Sequence, residues 1–345
     1  MSGRAPSSRT DDWAETVFGK LTQVRNVAAE KSAAVILDGG DFFHIKSPSR
    51  TSHELVRQVA DHHANYPCPV FCTPGNHDSV YGDYAFLGQQ PLGVLFATGV
   101  YGRLYDEHEI YIGPKHMTSK RPQVFPYNRK EGGFLEGNPW AVSGDNRLLP
   151  IIRVVGVPYH GPYYDMKRFL DIEKGAEDIL ICVGHVLASE KGGDMFGGED
   201  IVRYSDLIDS APDVFCFGHW HMDQGVVELG GKTFINIGSL TRGALSQDEV
   251  QRRPGCAIIT VNEKGEVAVE VHRIKIRPAE EVFDVEGRAR QVRQQIEMDA
   301  FVEKIREGLE PRDEDETLEE AIHGVENVPD DVRNRALGYL EQAEL

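Results

Sequence analysis

A chain of 345 residues, with 40% hydrophobic and 27% charged residues, can bury one large core, or one core and an appendage; no apolar run approaches the roughly 20 residues that span a bilayer. The net charge of −18 excludes broad electrostatic binding to nucleic acid or to an anionic membrane, though not a nucleic-acid substrate held at a local cationic or metal-loaded cleft. The polar opening MSGRAPSSRTDDW has no apolar h-region, and the five cysteines include no CxxC pair, so the expected setting is cytoplasmic with reduced thiols.

Apolar residues at helical spacing (Trp13, Val17, Leu21, Val24, Val27, Ala28) predict a helix over Arg9 to Lys31, capped by Ser8, Thr10 or Asp11. The β-branched run Ala33 to Leu37 predicts a buried parallel strand leading into DGGDFFH. A second helix over Thr51 to Asn65 and a strand over Pro69 to Cys72 follow, the strand leading into TPGNHD. That order is the alternation of a sheet with helices on its faces. Gly82 to Gly144 is less legible, with one short helix near Pro91 to Phe96. Further strands are expected at Ile151 to Val157, Ile179 to Val183 and Val214 to Phe217, with a helix between at Tyr164 to Lys174. Lys191 to Glu199 is a Gly-rich loop. Gly225 to Leu229, Lys232 to Ile237, Cys256 to Val261 and Val267 to Ile274 read as a run of antiparallel strands. The remainder is helical: Glu286 to Leu309, Glu316 to His323 and Pro329 to Ala343, interrupted by the acidic run PRDEDETLEE.

Four of the strand-like runs end in a Gly followed by a metal-ligand residue type: Gly40-Asp41, Gly75-Asn76-His77-Asp78, Gly184-His185 and Gly218-His219-Trp220-His221. Each alone is weak, and His219 with His221 alone reads equally well as a pair of surface histidines. Four at one sheet edge point to a metal site, because ligands of open α/β sheets bind beyond the carboxyl ends of the strands. Carboxylate, amide oxygen and imidazole together suit hard and borderline divalent cations. Two ions roughly 3.5–4 Å apart can clamp a phosphate and activate a water. His77 can give a proton or hydrogen bond to the leaving oxygen, with Asp78 orienting it.

The motifs GD, GNHD, GH and GHxH, in that order, resemble those of the calcineurin-like metallophosphoesterases. The run ILDGGDFFHIKSPSR, and NIGSLTRG after GHxH, are more similar to the nuclease branch: the SbcD-type and phage recombination nucleases. Phosphoprotein phosphatases of the superfamily read GDxVDRG and GNHE instead. The resemblance covers roughly Arg9 to Thr260. It implies a four-layer α/β (α+β) sandwich of mixed sheets flanked by helices, with a nuclease domain over 1–275 and a C-terminal helical region over 276–345. It implies two divalent ions, usually manganese, and hydrolysis of DNA phosphodiesters in line by a metal-activated water. Asp41 would bridge the ions, Asn76, His185 and His219 would hold metal 2, His221 would join Asp41 on metal 1, and His77 would be the catalytic histidine. DNA and an SbcC-type coiled-coil ATPase are the implied partners, the latter docking on the C-terminal region, and a homodimer is admissible. A phosphodiesterase or phosphatase acting on another substrate, and a metal-deficient scaffold, are the alternatives.

The sequence departs from the pattern at one place. The family's first strand ends in D-x-H, which supplies two ligands to metal 1, and no D-x-H precedes Asp41. A start upstream of Met1, a true truncation, and a metal 1 supplied otherwise all fit; the first is favoured because the remaining ligands are intact. Poor activity is expected of a chain that keeps only Asp41 and His221 for metal 1. His44, His160, Ser239 and Arg242 are candidate substrate contacts, although surface or loop roles explain each as well. Phe42, Phe43, Tyr81, Tyr84 and Phe86 could stack on bases, with burial the default. His62 and His63 close a helix, where they favour its dipole.

Overall fold

The computed structural model of the chain describes residues 5–6, 8–44, 51–80, 83–114, 122–135, 149–192, 198–308, 318–325 and 328–343. Two compact units divide between Val282 and Phe283, so the segment 276–282, expected in the second region, goes with the first.

The first unit opens with α1 (Trp13–Glu30), whose N-cap is Asp12: its carboxylate accepts from the Glu15 N–H. Asp11, an expected cap, is instead held by Arg9 and Thr16. There follow β1 (Ile36–Asp38), α2 (His53–His63, capped by Ser52), β2 (Val70–Cys72), a 3₁₀ turn at Tyr84–Gln89, α3 (Pro91–Ala97) and β3 (Gly102–Arg103). The region that was hard to read carries three more strands, β4 (His108–Pro114), β5 (Pro122–Asn128) and β6 (Gly133–Phe134). After them come β7 (Ile152–Val157), α4 (Lys167–Leu170), β8 (Ile179–Val186), β9 (Ala188–Ser189), β10 (Val202–Arg203) and β11 (Val214–His219). The unit closes with β12 (Gly225–Leu229), β13 (Lys232–Asn236), α5 (Gln247–Gln251), β14 (Gly255–Val261), β15 (Val267–Arg273) and α6 (Ala279–Val282).

The main sheet has eight strands in the order β12-β13-β11-β8-β7-β4-β5-β6. Its centre, β13-β11-β8-β7, is parallel, and β8 is buried along its whole length, as a strand covered on both faces must be. Alternate residues of β8 feed opposite faces. Leu180 and Cys182 join Phe169, Tyr204, Phe215 and Phe234 on one side; Ile179, Ile181 and Val183 join Ile110, Val154 and Val214 on the other. The Tyr204, Phe215 and Phe234 rings stack nearly parallel, with centroids 4.5 Å (Tyr204–Phe234) and 5.2 Å (Phe215–Phe234) apart. The second face also receives Phe71 and Leu37 from the three-stranded sheet β1-β2-β3. The other side of that small sheet packs Val70 and Cys72 against Val59 of α2 and Leu92 and Leu95 of α3. Helices, small sheet, large sheet and the layer of Phe169 and Tyr204 together make the expected four-layer α/β sandwich.

Several expectations change. The late strands are not one antiparallel run: β12 and β13 pair antiparallel, but β13 joins β11 in parallel, and β14-β15 form a sheet of their own. The helix expected at Tyr164 to Lys174 shrinks to α4, where the Glu173 carbonyl is drawn off to accept from Arg153. His62 and His63 do not serve the α2 dipole. His63 is buried between the Val59 carbonyl and the Tyr101 hydroxyl, and burial pushes its pKa down to about 4, leaving the ring neutral. The Phe43 ring is core, and Tyr84 hydrogen-bonds the Pro74 carbonyl, so neither is a base-stacking surface; Tyr81 lies outside the described residues.

The second unit contains α7 (Val285–Gly308), α8 (Leu318–Gly324) and α9 (Asp330–Ala343). Arg333 of α9 donates to the Ile322 and Val325 carbonyls, satisfying the open C-terminal end of α8. Val285, Val292 and Ile296 of α7 are exposed. No helix among the described residues is long and apolar enough to cross a membrane.

Candidate metal centre

The carboxyl ends of β1, β2, β8 and β11 meet at one point. Two of the expected strand ends are not ends: β8 runs through Gly184 and His185 to Val186, and β11 runs through Gly218 to His219, paired residue by residue with β8. The glycines therefore serve close approach rather than termination. A Cβ on Gly218 would collide with the Gly39 carbonyl, and one on Gly75 with the Asp41 carboxylate and the His185 ring. Gly40, at φ +98°, has the His185 ring, the Thr73 carbonyl and the Gly75 N–H around its missing Cβ. The four loops can close on one another only because these positions have no side chain.

Asp41, His185 and His219 bring ligand atoms within 4.8 Å of one another. His185 is fully buried, and its Nδ1 donates to the Gly39 carbonyl at 2.6 Å, which leaves Nε2 an acceptor 3.3 Å from Asp41 Oδ2. The Asn76 side-chain oxygen lies 3.3 Å from the same Nε2. The same oxygen position is 3.2 Å from both Asp41 oxygens and 3.3 Å from His219 Nδ1. An oxygen surrounded by acceptors needs something positive among them. Turning the amide over would supply its NH₂; a divalent cation supplies the same charge with the oxygen facing it. Adjacent ligands around an octahedral ion with bonds of about 2.1 Å stand about 3 Å apart, close to the spacings seen. Asp41, Asn76, His185 and His219 therefore fit a divalent cation in both geometry and donor chemistry.

Two of the four are held in uncommon backbone conformations, Asp41 at φ +59° and His219 at φ +79°. Asp78 supplies part of the hold. Its buried carboxylate accepts from the N–H groups of Asp41 at 2.8 Å, Phe43 at 2.8 Å and Gly75 at 3.0 Å. Burial and the neighbouring Asp41 push its pKa up, while the backbone donors pull it back. In this position Asp78 staples the β1 and β2 loops together rather than meeting the substrate.

His77 sits at the rim, its N–H donating to Asp41 Oδ1 at 2.8 Å and its ring stacked on His44 with centroids 4.4 Å apart. His221 is exposed, and it is not part of the Asp41, His185 and His219 group. Three weaker candidates commit polar atoms elsewhere. His160 uses both ring nitrogens, on the Pro158 carbonyl and the Asp165 N–H. Ser239 donates to the Thr241 carbonyl and accepts from Arg252, and Arg242 is buried, donating to the Val250 and Arg277 carbonyls. These residues build loops. One residue was missed: Glu199, from the end of the Gly-rich loop, contacts His219 Nε2 at 2.6 Å. The glutamate of GGED was its only trace in the sequence.

A four-layer sandwich with carboxylate, amide and imidazole donors gathered beyond the strand ends defines a metal-dependent phosphoester hydrolase. The family model for calcineurin-like phosphoesterases matches residues 12–223, and the chain belongs to that family. No curated protein matches the chain.

Proposed function

We propose that the bond hydrolysed is a phosphodiester of DNA, and that the chain is the exonuclease or endonuclease subunit of a repair or recombination complex. The observation that carries this reading is the GDFFH loop. It brings His44 onto His77 as a stacked pair at the rim of the metal centre. In the phosphatases the corresponding run is GDxVDRG, in which an aspartate stands at the position of His44. Bound divalent ions, manganese in this reading, act as Lewis acids and lower the pKa of a water from about 15.7 toward about 7. Asp41, Asn76, His185 and His219 would hold one ion, and Asp41 with His221 would contribute to the second. His77, packed against His44 and tied through its N–H to Asp41, is the group at the rim that can donate a proton to the leaving oxygen.

The test is manganese-dependent cleavage of single- and double-stranded DNA beside a chromogenic phosphodiester, with metal content measured per chain. DNA cleavage with about one or more ions per chain supports the reading; turnover of the small ester alone, with DNA intact, overturns it. A metal-deficient scaffold is the second reading, favoured by the exposure of His221, and a chain that retains no metal at all would establish it.

We infer also that the second unit docks an SbcC-type coiled-coil ATPase through its last helix, α9 (Asp330–Ala343). Recovery of the ATPase with the full chain, and its loss when the chain ends at Glu310, is the expected result. Equal recovery with both forms removes the docking role of the segment after Glu310.

A further inference from the structure

We propose that Glu199, clamped by Tyr159 and Tyr164, is the positioning residue that makes Nδ1 the ligand atom of His219; this rests on the reading of the site as a metal centre.

The two histidines of the site, His185 buried and His219 half-buried, present opposite ring atoms. His185 gives its Nδ1–H to the Gly39 carbonyl and turns Nε2 inward. His219 turns Nδ1 inward, 3.3 Å from the Asn76 side-chain terminus, and has Glu199 Oε2 on Nε2 at 2.6 Å. A neutral imidazole carries one N–H, and the carboxylate, which only accepts, takes it. Nδ1 is then left with its lone pair facing the other acceptors. Among the described residues Glu199 is what holds the proton on Nε2, and a proton on Nδ1 would close the site to a cation. A carboxylate partner also makes the ring a stronger electron donor than a carbonyl partner does.

Glu199 is itself fixed. Tyr164 Oη donates to Oε2 at 3.0 Å and accepts from the Leu187 N–H at 3.0 Å, so the phenol cannot swing away. Tyr159 Oη donates to Oε1 at 3.3 Å, and the Tyr159 ring packs on His219 with centroids 5.5 Å apart. The Asp200 carboxylate accepts from the Tyr164 N–H, and the Asp200 N–H donates to the Pro162 carbonyl, so the strip after the Gly-rich loop is laced to 162–164. His219, at φ +79°, has a backbone that needs such an external hold.

The experiment reads the tautomer directly. Nitrogen-15 NMR of histidine-labelled, metal-free full chain assigns the His219 ring nitrogens, and calorimetric titration with manganese gives affinity. His219 is expected as the Nε2–H tautomer in the native chain and with Glu199→Gln, whose side-chain oxygen still accepts. With Glu199→Ala the Nδ1–H form appears, and manganese binds about 10- to 100-fold more weakly. Tyr164→Phe, which keeps the ring, gives an intermediate loss. A role confined to holding the loop would lower the melting temperature of Glu199→Ala and leave the tautomer alone. An Nδ1–H tautomer in the native chain, or an unchanged tautomer in Glu199→Ala, overturns the proposal. The tautomer is read without metal, so a native chain with the expected tautomer that binds no manganese overturns the metal reading of the site instead.

Discussion

Asp41→Asn is expected to lower phosphodiester hydrolysis by about a thousandfold or more, while the chain stays folded. Asp41 is the one carboxylate among the four converging donor residues, so it brings the only formal negative charge to them. Its Oδ1 also accepts the His77 N–H, so the same side chain ties the rim histidine to the metal centre. Asparagine keeps the shape and one acceptor oxygen but removes the charge that compensates a dication. The measurement pairs turnover with thermal unfolding. Ligand binding to the native state stabilises it by about 2.7 kcal/mol at a hundredfold excess over Kd, so manganese should raise the melting temperature of the native chain and leave that of Asp41→Asn in place. A variant that still gains stability from manganese would mean that Asp41 is not a ligand.

Lys20→Met is expected to stabilise the fold by on the order of 3–4 kcal/mol at neutral pH. Lys20 lies on the buried stripe of α1 beside Trp13, Val17 and Leu21, and its ammonium has no hydrogen-bond partner among the described residues. Burial, and then the charges of Arg242, Arg9 and Arg252, push its pKa down from 10.5 to about 7, with Glu249 only partly offsetting them. A base whose pKa falls on folding holds fewer protons in the native state. The penalty is complete below about pH 7 and recedes as pH rises toward 10.5, at about 1.36 kcal/mol per unit. Urea unfolding at pH 7 and pH 9.5 reads this as a gap between native chain and variant that narrows at the higher pH. A gap that is constant, or that widens with pH, would show that Lys20 is not carrying a buried charge.

The order of elements was legible because its signals are local. The 3.6-residue stripe of α1 and the β-branched runs of β1, β7 and β8 act within a few residues of themselves. The strands β4, β5 and β6 were not legible. β5 is half-exposed and begins and ends near prolines, and its pairing partner β4 is what makes it a strand. The ligand types were legible as well, since Gly-Asp, Gly-Asn-His and Gly-His are written contiguously. The reason for their glycines was not. Gly218 appeared to end a strand, and only the approach of the Gly39 carbonyl shows what it makes room for. Lys20 falls by spacing on the apolar stripe of α1, and only the fold shows that Arg242, Arg9 and Arg252 are the charges its ammonium meets there.

The sequence by itself indicated the family, offered Asp41, Asn76, His185 and His219 as a candidate donor set, and gave the order of the loops that carry them, because residue type and local spacing are one-dimensional properties. Only the tertiary structure decided which nitrogen each histidine offers, that Asp78 staples two loops instead of orienting His77, that His160, Ser239 and Arg242 spend their polar atoms on the chain, and that Glu199 stands behind His219. Each of those depends on which hydrogen-bond partners arrive from distant parts of the chain, and a buried polar atom takes the partner the fold brings to it.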